Sequence, residues 1–217
     1  MVTSFNEYLK VTISNLFSRN VSNNKATGSG RKDLAVNEIE NVVERIKNGE
    51  TEAFGLIYDE FQRMVASVVR KVGRCARSEI DFHVNEVFFR VYKGVFGFEG
   101  KSKFSTYIYR IALNYCFQLS KNVRWEREQY TDLDDHDAPV HFEARTVEGV
   151  ILEKALDQLP DTLRTVVVLY YYENLSVKEV AEIEGISENA VKNRLFHARE
   201  KLKKLLGEEH NVHDDLQ

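Results

Sequence analysis

Apolar residues recur at separations of three and four through most of the chain, and no stretch alternates with the period of two that a strand requires. Near the start, Phe5, Leu9, Ile13 and Leu16 share one helical face. The polar stretch SRNVSNNKATGSGRK over 18–32, with Gly28 and Gly30, reads as a flexible linker, so residues 1–32 are expected to be a tethered extension, partly disordered. Asp33 can cap a helix whose apolar face is Leu34, Ile39, Val42, Val43 and Ile46 and which stops at Asn48-Gly49. A second helix carries Phe54, Ile57, Tyr58, Phe61, Val65, Val68 and Val72. A third, over about 79–95, carries Phe82, Val87, Phe88 and Val91. A fourth runs from Ser102 or Lys103 to about Val123, with Phe104, Tyr107, Ile108, Ile111, Ala112 and Tyr115 on one face. Further helices are expected at about 147–158, 161–173, 177–183 and 188–206. The predicted fold class is all-α.

Charge then divides the chain. The formal net charge is −4, yet the acidity is local. Arg90 to Arg127 holds eight Lys or Arg against two Asp or Glu, whereas Glu128 to Glu148 holds seven Asp or Glu against one Arg. The acidic stretch contains DLDDHDAP and no apolar period, so 128–146 reads as an extended linker. Two helical domains are expected, 33–127 and 147–206, followed by a tail, 207–217. Two prolines and eleven glycines in 217 residues suit long helices, and 43% hydrophobic residues suffice for packed cores. Cys75 and Cys116 form no CxxC motif and read as reduced, buried thiols. Glu7 and Lys10 interrupt the first apolar stretch, so no secretory signal is expected. The longest apolar run, 166–172, is too short to span a bilayer. A cytoplasmic protein without membrane insertion is the expectation.

The last helices carry the sharpest local signals. Ser176-Val177-Lys178-Glu179 is a capping box that opens a short helix, Gly185 suits the left-handed residue that ends it, and Ser187 can cap the next. Ala181, Gly185 and Val191, at separations of four and six, match a helix-turn-helix. Val191, Leu195, Ala198, Leu202 and Leu205 form the stripe expected to be buried. Opposite lie Glu188, Asn189, Lys192, Asn193, Phe196, Arg199 and Lys203, with His197 beside them. Asn and Lys can hydrogen-bond base edges, while Arg and Lys hold phosphates. A solvated surface helix would explain the charge alone, but not the capping box, the turn glycine and the spacing together.

The stretch 98–127 interleaves aromatics with Lys101, Lys103, Arg110, Lys121 and Arg124. Bases stack on aromatics while cations pair with phosphates, which suits single-stranded DNA; an aromatic core with a wet basic face is the plainer alternative. No phosphate-binding glycine loop, metal-ligand spacing or nucleophile motif appears, so no enzyme activity, metal or cofactor is expected.

Together the two halves resemble a bacterial RNA polymerase sigma factor of the extracytoplasmic-function (ECF) group. DFHVNEVFFRVYKGVFGFEGKSKFSTYIYRIALNYC is similar to the family's region two, and LDQLPDTLRTVVVLYYYENLSVKEVAEIEGISENAVKNRLFHAREKL to its region four. The resemblance implies a protein that binds core RNA polymerase, reads the −10 and −35 promoter elements and starts strand opening. It places Asp81, Asn85, Glu86 and Arg90 against the polymerase, with Asn85 departing from the glutamine usual there. It places Phe98, Lys101, Ser102 and Lys103 in a loop that holds a flipped −10 base, and Ser105, Tyr107, Arg110 and Asn114 along the opened strand. The −35 duplex would meet Asn189, Lys192, Asn193, Arg194, Phe196, His197 and Arg199, with His197 where arginine is frequent. An anti-sigma factor is a partner that the resemblance implies. The acidic linker would thread into the polymerase cleft, or serve only as a solvated tether.

Two rival readings make other predictions. A stand-alone helix-turn-helix regulator accounts for 176–206 and leaves 98–127 and the acidic linker without a role. A nucleic-acid-processing enzyme would need a metal-binding carboxylate cluster, and the dense one, Asp132, Asp134, Asp135 and Asp137, sits in the linker. The scattered His136, His141, His210 and His213 make a poor alternative metal site.

Overall fold

The computed structural model describes residues 36–75, 77–129 and 147–214, with side-chain environments for 38–75, 77–120 and 151–206. The N-terminal extension, Asp33, Leu34 and most of the acidic linker lie outside the described residues. Two compact units are present, one within Lys32–Val140 and the other within His141–Gln217. Every regular element among the described residues is helical, with no strand among them, as the periodicity predicts.

The first unit contains α1 (Val36–Lys47), α2 (Phe54–Gly73), α3 (Ile80–Val95) and α4 (Phe104–Gln129). Gly49, at φ +99°, makes the left-handed turn out of α1. Ile57, Phe61, Val65, Val68 and Val72 bury one face of α2, the central helix, against the other three. Each such side chain contributes about 1.5–3 kcal/mol on burial. Val84, Val87, Phe88, Val91 and Val95 face inward from α3. Phe82, expected with them, is 68% exposed. It lies two residues from Val84, about 200° round the helix, so its periodicity belongs to another face. Cys75 and Cys116 are both buried and free, and burial pushes the Cys75 thiol up to about 11 and Cys116 higher.

Gly94 fixes the approach of α3 to α4. A Cβ there would lie 2.1 Å from the Tyr107 hydroxyl and 3.4 Å from its Cζ. Gly94→Ala is therefore expected to cost about 1–3 kcal/mol by overpacking. Removing the hydroxyl with Tyr107→Phe should recover most of that loss, as urea unfolding of the single and double variants would show.

The second unit contains α5 (Val147–Asp157), α6 (Asp161–Val167), α7 (Val177–Glu184) and α8 (Glu188–Asp214). The helix expected over 161–173 lengthens its bonding from i→i−4 to i→i−5 at Val168–Tyr172, where a π turn is closed by Glu173 N–H donating to Val168 O at 3.0 Å. The inserted residue turns Tyr171 inward. Arg164 is buried: its Nη1 donates to Leu156 O at 3.0 Å and pairs with the Asp157 carboxylate. The last helix runs past 206 into the stretch expected as a tail, because Gly207 disfavours helix without forbidding it.

Candidate nucleic-acid interface

The helix-turn-helix forms from local chemistry. Ser176 Oγ accepts from Glu179 N–H at 3.2 Å, and Glu179 Oε2 accepts from Ser176 N–H at 3.1 Å. Gly185 adopts φ +67°, and its N–H donates to Ala181 O. Ser187 Oγ then caps α8 by accepting from Ala190 N–H at 3.2 Å. Val191, Leu195, Ala198 and Leu202 are buried on the inner face of α8, with Leu205 half-buried. These contacts hold the opposite face outward.

On that face Asn189, Lys192, Asn193, Phe196 and His197 are exposed, and Phe196 packs edge-on against the His197 ring at 5.6 Å. Arg194 and Arg199 are placed differently. Arg194 Nη1 pairs with Glu184 Oε2 of α7 at 2.9 Å, where burial raises the Glu184 carboxyl and the guanidinium opposes that rise. Arg199, half-buried, donates a hydrogen bond to the Tyr171 hydroxyl. Both arginines brace α8 against the rest of its unit. A guanidinium has five N–H donors, so the bond to Tyr171 leaves Arg199 with donors to spare.

In the first unit, the loop between α3 and α4 is anchored at Phe98. Its ring packs 5.0 Å from Phe104 and 5.1 Å from Tyr107. Tyr107 is half-buried, with its hydroxyl against Gly94, and burial raises its pKa. Phe98 and Tyr107 thus form the base of the loop, while Lys101 and Lys103 are exposed and Ser102 is half-exposed at its tip. Lys101 pairs with Glu99, and Gly100 takes φ +72° to make the turn. Ser105, Arg110 and Asn114 continue along α4, Ser105 half-exposed and the other two exposed.

Asp81 and Asn85 are exposed on α3, with Asn85 Oδ1 accepting from the Tyr58 hydroxyl at 3.2 Å. Arg90 is held by Glu86 at 3.3 Å and Gln118 at 2.7 Å, and its Cζ lies 4.6 Å from the Tyr115 ring centroid. Sequence reasoning missed three neighbours of these residues. Phe82, Phe89 and Phe96 are 68%, 52% and 51% exposed. Their spacing of seven makes one stripe along α3 and its C-cap, Phe96, a period visible in the sequence once the inward face is assigned to the valines. Lys93 Nζ lies 4.0 Å from the Phe89 centroid.

The linker aspartates and the four histidines weighed as metal ligands lie outside the residues whose side chains are described. Among the described residues no helix is long and apolar enough to cross a membrane.

Comparison with known proteins agrees with this arrangement. The sigma-70 region 2 family matches residues 57–126, and the sigma-70 region 4 family matches 149–202. The ECF RNA polymerase sigma-E factor of Haemophilus influenzae is 30% identical over 172 residues, covering 73% of this chain and 90% of the relative. The RNA polymerase sigma-H factor of Pseudomonas aeruginosa is 27% identical over 190 residues, covering 80% of this chain and 96% of the relative. Two solved structures share the fold. CnrH, in complex with the cytosolic domain of CnrY, has a TM-score of 0.57 and 24% identity, covering 76% of this chain and 95% of that one. The sigma factor RpoE of Bartonella quintana, in complex with the anti-sigma factor NepR, has a TM-score of 0.59 and 17% identity, covering 71% and 96%. With both regions in order and a relative aligned over nine-tenths of its length, the chain belongs to the ECF family of RNA polymerase sigma factors.

Proposed function

We propose that the sigma-factor function is divided between three surfaces of this chain. The chain binds core RNA polymerase, recognises the −10 and −35 elements and begins promoter opening; it is not an enzyme. The observation that carries the residue-level reading is the exposed face of α8: a braced helix that presents Asn189, Lys192, Asn193, Phe196 and His197 together. These read the −35 duplex in the major groove. Arg194 sets the angle of α8 through Glu184. Arg199 does so through Tyr171 while reaching a phosphate.

The loop tip of Lys101, Ser102 and Lys103, set on the Phe98 and Tyr107 platform, holds a −10 base after it leaves the stack. Ser105, Arg110 and Asn114 follow the opened strand. Asp81, Asn85, Glu86 and Arg90, with the phenylalanine stripe of α3, dock on polymerase. An anti-sigma factor is a further partner, supported by the complexes of CnrH and RpoE, and the chain acts in the cytoplasm.

Promoter variants test the −35 assignment. In holoenzyme, Lys192→Ala and Asn193→Ala should each lose about 1–3 kcal/mol of binding on promoters that carry the preferred base, and little on those that lack it. Arg199→Ala should instead weaken every promoter alike and lower the salt slope by about one. Equal losses on all promoters for Lys192 and Asn193 would overturn the base-reading assignment.

A further inference from the structure

We infer that Lys47, at the end of α1, is a positioning residue for the loop that captures a −10 base, an inference that rests on the proposed role of that loop. Lys47 lies ahead of the segment that matches sigma-70 region 2, which begins at 57. Its Nζ nevertheless donates to the Phe98 carbonyl oxygen at 2.8 Å, from a position 51 residues away in sequence. The same ammonium sits 5.9 Å from the Phe98 ring centroid and 3.0 Å from Glu44 Oε1. The Lys47 side chain is 24% exposed, so its stem is held in the fold while its head faces the loop.

The loop gives this bond its consequence. The end of α3 is closed by Gly97 N–H to Gly94 O and Phe98 N–H to Val95 O, both at 3.1 Å. Phe98 is the last residue before the exposed tip, and it is fastened twice: its ring by Phe104 and Tyr107, its carbonyl by Lys47. That carbonyl lies just past the C-terminal end of α3, where a cation also meets the negative end of the helix dipole. Fixing the carbonyl fixes the plane of the peptide into Glu99, and so the direction in which the tip leaves. The tip is thus held in place before a base arrives, and less conformational freedom is lost at capture. Removing the ammonium leaves the aromatic anchor intact and lets the peptide plane turn.

The test compares Lys47→Met, Lys47→Arg, Glu44→Gln and a tip variant, Ser102→Ala with Lys103→Ala, as holoenzymes on one promoter. Core affinity, closed-complex footprints and permanganate reactivity of −10 thymines are read for each. Lys47→Met should slow opening about tenfold, with core affinity, closed-complex formation and thermal unfolding unchanged. Lys47→Arg should restore most of the rate, because it keeps a donor at the carbonyl, and Glu44→Gln should open at the wild-type rate. If the tip variant opens slowly and Lys47→Met does not, the role of Lys47 is overturned while the loop keeps its own. If neither variant slows opening, the loop assignment fails and the inference fails with it. If Lys47→Met loses stability and core affinity in step with opening, and Lys47→Arg does not rescue, Lys47 is scaffold only and the inference is overturned.

Discussion

Replacing Phe82 and Phe89 together with serine is expected to lower affinity for core RNA polymerase by about a hundredfold or more, with little change in the stability of the free protein. Both rings are more than half exposed, so they contribute little to the core. Surface substitutions of this kind usually fall within about 0.5 kcal/mol. Aromatic anchors buried in an interface commonly cost about 2 kcal/mol or more each when truncated. Along one face of α3 they are spaced to meet a single partner surface, flanked by Asn85 and by Lys93 over the Phe89 ring. Binding of labelled variant to core polymerase, beside its thermal unfolding curve, separates the two effects. Unchanged core affinity would move the docking surface elsewhere.

The largest stability effect is expected at the pair that holds the buried guanidinium of Arg164. Asp157→Ala would leave the guanidinium of Arg164, 3% exposed, with its carboxylate removed. Breaking a buried pair from one side costs about 3–5 kcal/mol; the bond to Leu156 O remains, so about 3 kcal/mol is the expectation here. Because α6 packs on α8, the loss should also abolish −35 discrimination although neither residue belongs to the DNA-facing set. Replacing both partners with apolar residues of similar volume should recover much of the stability. Urea unfolding of the single and double variants checks this.

Local chemistry was legible in the sequence and tertiary contact was not. The capping box of Ser176 and Glu179, the left-handed Gly185 and the Ser187 cap each depend on residues within a few positions, so the turn could be read before the fold was known. The inward faces of α2 and α8 follow equally from their periodicity. The third helix was harder, because Phe82 and Val87 are both apolar and only packing tells which face is covered. Tyr107 was expected along the opened strand; its fit against Gly94 depends on the approach of α3 to α4. Arg194 and Arg199 read as DNA contacts from their helix face, and their bonds to Glu184 and Tyr171 appear only once α7 and the π turn are in place. The Lys47 bond to Phe98 spans two helices and has no local signature at all.

As a sigma factor, this chain gives core polymerase a promoter specificity that the core otherwise lacks. Transcription of fragmented genomic DNA by core polymerase, with and without the protein, tests it by mapping the 5′ ends of the transcripts. Start sites should appear that are seen only when the protein is added, each preceded by shared −10 and −35 elements at a constant spacing. Free protein should bind those fragments weakly, since its carboxylates repel phosphate over a screening length of about 8 Å. An unchanged set of start sites, with sequence-specific binding of free protein to closed duplex, would contradict it and favour a stand-alone helix-turn-helix regulator.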